Sequence, residues 1–189
     1  GIAVLEDLYQ SYQAVHPDAV STHFSEKQHC AFALCTASSR LFLLYLHQKQ
    51  YEPAQDILRD CFALLSPYSS SAAPAEQKLL AALYNHLGAL RKQQGEYAEA
   101  EQAFVRAVSI YQDLPQPLRN NGDILHCQSK NLAFLTDLCA KQGRLSDALA
   151  HCIKSIAACE KLAALTQEID DRRMLSVAYA QAAGLHQKN

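Results

Sequence analysis

The sequence predicts an all-α protein, an α-solenoid built from antiparallel helix pairs. Strong helix formers dominate its 189 residues, whereas glycine and proline each occur only six times. Gly95 and Gly143 stand 48 residues apart, and each lies where a left-handed residue would end one helix and turn the chain into the next. Similar small and large residues follow both glycines, which is typical of a repeated helix pair.

The second helix of each pair is predicted from the residues that follow these turns. Its small residue lets the two helices approach closely, and a larger residue one turn later fills the space between units. The pairs that match across the two copies are Tyr97 with Leu145, Ala100 with Ala148, Phe104 with Cys152, and Ala107 with Ser155.

An earlier copy is offset by 46 residues and has a different residue at its turn. Lys49 stands where the later copies have glycine. A left-handed lysine costs about 1 kcal/mol or more, so we expect either strain at Lys49 or a turn that is built differently. The corresponding positions of the second helix are Tyr51, Ala54, Leu58 and Cys61.

The copies predict a single domain over residues 1–189 that begins and ends on half repeats. Gly184, 96 residues after Gly88, marks the last partial copy. We expect the chain to be part of a longer protein and to be able to self-associate through its half-repeat ends. The predicted segments are a half repeat at 1–17, repeats at about 25–67, 73–115 and 119–165, and a terminal helix at about 168–189.

Charge and hydropathy exclude two classes of partner. The formal net charge is -2, and the acidic and basic residues are interspersed without a basic stripe that could follow a phosphate backbone. The most apolar run, residues 41–46, is far shorter than the roughly 20 residues that span a bilayer. We therefore expect neither nucleic-acid binding nor membrane insertion.

The cysteines predict a reduced protein in the cytoplasm without a metal or cofactor. Their number is seven, and no CxxC pair or zinc-type spacing occurs. His151 beside Cys152 lacks the further ligands that a metal would need.

The sequence has neither a phosphate-binding loop nor a nucleophile motif, and the charge cluster at 170–173 is interpreted as a solvated connection or a helix start. We therefore predict that the chain is not an enzyme.

The central copy carries a family resemblance. Six residues together resemble the signature of the tetratricopeptide repeat: Gly88, Gly95, Tyr97, Ala100, Phe104 and Ala107. The spacing of 46 to 48 residues exceeds the usual period of about 34, so the repeats are lengthened. In this they are similar to those of kinesin light chain, with Asn85 in a place where that family tends to carry paired asparagines.

This resemblance implies a right-handed superhelix whose first helices line a concave groove that binds a partner protein or peptide. Asn85 and Gln181 can pair with the backbone of an extended segment, whereas the lysines favour acidic features of the ligand. Leu43 indicates an apolar pocket if it is exposed in the groove, and packing of the 41–46 run into the core is the alternative. Asp137 would repel a C-terminal carboxylate. The groove residues predicted from equivalent positions are Ser39, Leu43, Asn85, Lys92, Lys130, Asp137, Gln181 and Lys188.

Two functions fit this architecture. The first is a scaffold or adaptor for protein interactions, because repeated helices hold recognition groups at fixed spacing. The second is a ligand- or peptide-sensing regulatory domain of a larger signalling or transcription-regulating protein. Each groove residue taken singly also fits an ordinary solvated position on a helix.

Overall fold

The computed structural model describes residues 24–66, 73–166 and 168–186, and all regular secondary structure in these ranges is helical. This confirms the predicted all-α class. No helix of the described ranges is long and apolar enough to cross a membrane. The helices are α1 (Phe24–His47), α2 (Tyr51–Leu65), α3 (Pro74–Gln94), α4 (Tyr97–Asp113), α5 (Gln116–Arg119), α6 (Gly122–Lys141), α7 (Leu145–Thr166) and α8 (Ile169–His186).

The chain divides into two compact units, and the division falls inside α3, between Leu79 and Leu80. In the first unit α1 packs against α2. In the second unit α6 packs against α4 and α7, and α7 packs against α8. Each of these helices therefore contacts its neighbour along the chain or in the next pair, as in an α-solenoid. The predicted half repeat at 1–17 lies outside the described residues, so self-association through it stays a prediction.

Three turns between paired helices share one hydrogen-bond pattern. At each, the residue after the turn donates its backbone N–H across the helix end to a carbonyl five residues earlier, and the turn residue donates to a carbonyl three residues earlier. This is the Schellman motif, which needs a left-handed residue. Gly95 (φ 83°) and Gly143 (φ 75°) supply it as predicted, and Lys49 adopts φ 59°. Of the two alternatives for Lys49, the structure has the strained left-handed residue.

The register predicted for the second helices is confirmed by burial. Ala54, Ala100 and Ala148 are all 0% exposed, so at each of these positions the neighbouring helix leaves no room for a larger side chain. The larger residue one turn later is buried in all three copies, and so is the residue three positions after it. These buried positions are Leu58, Phe104 and Cys152, followed by Cys61, Ala107 and Ser155.

At Gly88, α3 lies against the Phe104 ring of α4. A Cβ atom on Gly88 would lie 2.8–2.9 Å from three carbons of the Phe104 ring, which is closer than carbon atoms pack. The glycine is therefore required for the ring to fit. Gly184, predicted to be its equivalent in the last copy, has no atom within 4 Å of the corresponding Cβ position.

Candidate functional site

A cavity of about 510 Å³ opens in the second unit between α6, α7 and α8, with one residue from α3 at its edge. We call it the groove. Its apolar lining comes mainly from α6 and α8, and its charged residues come from α3, α6 and α8. The lining residues are Lys92, Ser129, Lys130, Ala133, Phe134, Asp137, Ser155, Cys159, Arg173, Met174, Val177, Ala178 and Gln181.

Helical periodicity places the groove residues. Lys130, Phe134 and Asp137 are spaced by four and three residues along α6, so their side chains lie on one face. Arg173, Val177 and Gln181 are spaced by four residues along α8 and form the opposing face. Two facing stripes of mixed character thus enclose the groove.

Phe134 connects the groove to the interior. Its ring lies 5.0 Å from the Phe104 ring between centroids, at an interplanar angle of 59°, and Phe104 packs against Gly88. The Nζ atom of Lys92 lies 4.6 Å from the centroid of the Phe134 ring, which is the geometry of a cation–π contact. The side chain that forms the wall of the groove is therefore held by the core on one side and by an ammonium group on the other.

The charges of the groove are unevenly compensated. Arg173 pairs with Asp170 at 3.3 Å, and Asp137 accepts a hydrogen bond from Nε2 of Gln181 at 2.7 Å. Lys92 and Lys130 are exposed, and neither takes part in an ion pair with a described carboxylate. The groove therefore carries net positive charge.

Gln181 is only partly satisfied by this arrangement. Its Oε1 atom is buried and has no hydrogen-bond partner among the described residues. An acceptor left without a donor costs free energy, so a donor that reached Oε1 would gain a hydrogen bond at that site. The amide group is thus held at one end by Asp137 and left unpaired at the other.

The structure brings four of the eight predicted groove residues together around this cavity: Lys92, Lys130, Asp137 and Gln181. Ser39 and Leu43 lie on α1 in the first unit, where the Ser39 hydroxyl donates to the backbone carbonyl of Cys35 at 2.9 Å. Leu43 is 51% exposed, whereas Leu46 beside it is buried at 8%. Lys188 lies outside the described residues.

Asn85 does not line the groove but takes part in an internal amide network. Its Nδ2 atom donates to the hydroxyl of Tyr111 at 3.2 Å, and its Oδ1 atom accepts from Nδ2 of Asn131. Burial raises the pKa of Tyr111 well above its usual range, so the hydroxyl stays neutral. Both ends of the Asn85 amide are thus already paired within the second unit.

The apolar wall formed by Phe134, Met174 and Val177 was not predicted from the sequence. Equivalent repeat positions are 46 to 48 residues apart, whereas contacts across the groove join residues at other spacings: Asp137 and Gln181 are 44 residues apart. The signal that could have found Phe134 is its place on the Lys130 face of α6, one turn further along.

The acidic residue Asp171 and the thiol-bearing residues Cys152 and Cys159 are buried in the fold. Asp171, which the sequence placed at a solvated helix start, is buried at 8% and accepts a hydrogen bond from the Thr166 hydroxyl at 2.5 Å. Burial raises the pKa of the thiols of Cys152 and Cys159, which disfavours the reactive thiolate. Among the described residues, no three His, Cys, Asp or Glu side chains are grouped to hold a metal ion.

Consecutive helix pairs, left-handed turns and a shared core register define a helical repeat protein. Comparison with protein families matches residues 80–114 to the tetratricopeptide repeat, which covers α4 and the part of α3 with Gly88. The central helix pair therefore matches a tetratricopeptide repeat, as the signature residues predicted. A comparison with curated proteins found no significant match.

Proposed function

We propose that the chain is a protein-interaction scaffold or adaptor that binds a peptide, or a segment of a partner protein, in the groove between α6 and α8. Tetratricopeptide repeats are in general protein-interaction modules, and one matches this chain. The observation that carries the proposal is the cavity of about 510 Å³, around which Lys92, Lys130, Asp137 and Gln181 meet.

The size and chemistry of the groove support a ligand with several contacts. Its volume falls in the range of about 300–1,000 Å³ that is usual for ligand sites. Val177, 56% exposed, and Phe134 offer apolar area to a side chain. Ser39, Leu43 and Lys188 stay predicted contacts, and we assign Asn85 to the interior because its amide is paired there.

Blocking the groove tests this proposal. Peptides that bind the wild-type chain are selected from a random displayed library, and their affinities are measured for two variants with matched changes. Val177→Arg places a bulky cation in the groove, whereas Val105→Arg changes a valine on α4 that is 45% exposed and does not line it. We expect Val177→Arg to weaken binding by about tenfold or more and Val105→Arg to leave it unchanged.

Equal affinity of both variants for every selected peptide would place binding elsewhere and refute the proposed site. If no peptide is selected and a small molecule raises the melting temperature, the sensing domain replaces the scaffold as the better hypothesis. Circular dichroism of both variants must first show unchanged helicity.

We also propose that the chain acts in the cytoplasm and in binding rather than catalysis. The support is that five cysteines of the described ranges are buried and form no disulfide bond, so their thiols serve as small apolar residues of the core. They are Cys35, Cys61, Cys139, Cys152 and Cys159.

A further inference from the structure

The groove has a positive potential that the chain as a whole lacks. The formal net charge of the chain is -2, yet three cationic residues and one acidic residue line the groove. Arg173 already has Asp170 beside it at 3.3 Å. Lys92 and Lys130 are therefore the cations whose charge is available to a ligand.

Apolar surface lies directly beside this charge. The Lys92 ammonium group is 4.6 Å from the centroid of the Phe134 ring, so a carboxylate that pairs with Lys92 lies next to the ring. Val177 faces the same cavity from α8 and is 56% exposed. A single ligand segment can thus meet a cation and an apolar wall within the reach of neighbouring side chains.

We propose that the groove selects partner segments in which acidic side chains stand next to an apolar side chain. The acidic groups pair with Lys92 and Lys130, and the apolar side chain packs between Phe134 and Val177. This inference rests on the proposed function, because it names the chemistry of the segment that the groove would bind.

Asp137 gives the bound segment a direction. It follows Lys130 by seven residues on the same helix, which is about 10 Å along the axis. Asp137 would repel a ligand carboxylate close to it. The Oδ1 atom of Asp137 already accepts a hydrogen bond from Gln181. The acidic part of the segment therefore lies toward the Lys130 end of the groove.

The test compares four pools of short peptides with blocked termini and a fluorescent label. One pool combines acidic with aliphatic residues, a second combines basic with aliphatic residues, a third is acidic without apolar residues, and a fourth is aliphatic without charge. Affinity is measured by fluorescence anisotropy at low and at physiological salt. We expect the acidic–aliphatic pool to bind about tenfold more tightly than each of the other three, and to weaken as salt rises.

Charge reversal sharpens the test. The variant Lys92→Glu with Lys130→Glu should reverse the order and prefer the basic–aliphatic pool. The control Lys154→Glu with Lys161→Glu makes the same charge change at exposed positions of α7 outside the groove and should keep the wild-type order. Unchanged helicity of both variants excludes loss of folding as the cause.

Equal affinity for all pools, or an order that the groove variant does not reverse, would overturn this inference. If the acidic–aliphatic pool binds and the order reverses only in the groove variant, the inference holds. Peptides selected from the random library that need Val177 but show no acidic preference would leave the proposed groove intact while refuting its ligand chemistry. Library peptides that are insensitive to Val177→Arg would instead refute the groove itself.

Discussion

The central helix pair, α3 with α4, and the first described pair, α1 with α2, close the same Schellman turn with different side chains. At positions 46 residues apart, Phe42 in α1 corresponds to Gly88 in α3, and Leu58 in α2 corresponds to Phe104 in α4. All four are buried. At these two positions the central pair thus has a glycine and a large aromatic ring, whereas the first pair has two large side chains.

The same contrast recurs at the turns, where Lys49 stands in the first pair and Gly95 in the central pair. Both have positive φ and both close a Schellman motif. The hydrogen-bond pattern of the turn is therefore kept although the turn residue differs. The central pair carries both the glycine that makes room for the Phe104 ring and the glycine of the turn, and its residues, 80–114, match the tetratricopeptide repeat.

Placing the first pair's side chains in the central pair should have the largest effect. Gly88→Phe forces a ring into space that Phe104 occupies, since even a Cβ atom would lie 2.8 Å from that ring. We expect a loss of about 3 kcal/mol or more in the free energy of unfolding, measured by urea denaturation. Adding Phe104→Leu copies both residues of the first pair and should recover part of that loss.

The control for this substitution is Gly184→Phe, because nothing lies within 4 Å of a Cβ atom there. It should change stability by less than about 1 kcal/mol. Equal destabilisation by Gly88→Phe and Gly184→Phe would show that the close contact in the central pair does not determine its stability.

Acid should distinguish the two pairs by a smaller amount. Burial lowers the pKa of His86 in α3 to about 4, whereas the corresponding residue of α1 is the exposed Arg40. Because the folded-state pKa lies below the unfolded value near 6.5, the unfolded chain binds more protons between these pH values. Stability should therefore fall as the pH drops from about 6.5 to about 4, by about 2 kcal/mol from this group.

The variant His86→Leu isolates this contribution. Urea denaturation of both proteins is compared at several pH values, so that the titration of carboxylates common to both cancels. The difference in unfolding free energy between wild type and variant should change by about 2 kcal/mol across that range. A difference that is independent of pH would show that His86 is not held neutral by the fold.

Exchanging the turn residues should have the smallest effect. Lys49→Gly removes the strain of a left-handed lysine and should stabilise the chain by about 1 kcal/mol. Gly95→Lys introduces the same strain at φ 83° and should destabilise it by a similar amount. The two melting temperatures should move in opposite directions, and a shift in the same direction would show that the turns are not equivalent.

The sequence was sufficient for the features that depend on local backbone and size. A left-handed glycine has few alternatives, which is why Gly95 and Gly143 located the turns, and a fully buried alanine must recur wherever two helices approach closely. The abundance of helix formers and the scarcity of glycine and proline predicted the helical class, because helix propensity is also a local property.

The groove was only partly predictable because it depends on how neighbouring helices cross. Equivalent repeat positions located Lys92, Lys130, Asp137 and Gln181, yet the contact partners lie off that register, as in the bond from Gln181 to Asp137. Asn85 was predicted to face the groove, but its amide pairs with Asn131 inside the second unit. Which side chains become partners depends on the angle and distance at which the helices cross, and the repeat period does not specify these.

Gly88 packs against Phe104, and Phe104 packs against Phe134. A change in the interior of the central repeat therefore shifts the wall of the groove as well. A screen for loss of binding would therefore recover Gly88 and Phe104 as positives although neither lines the cavity. Selection for a new ligand specificity that altered the aromatic wall would in turn draw compensating changes deep in the repeat, so specificity and folding would evolve together.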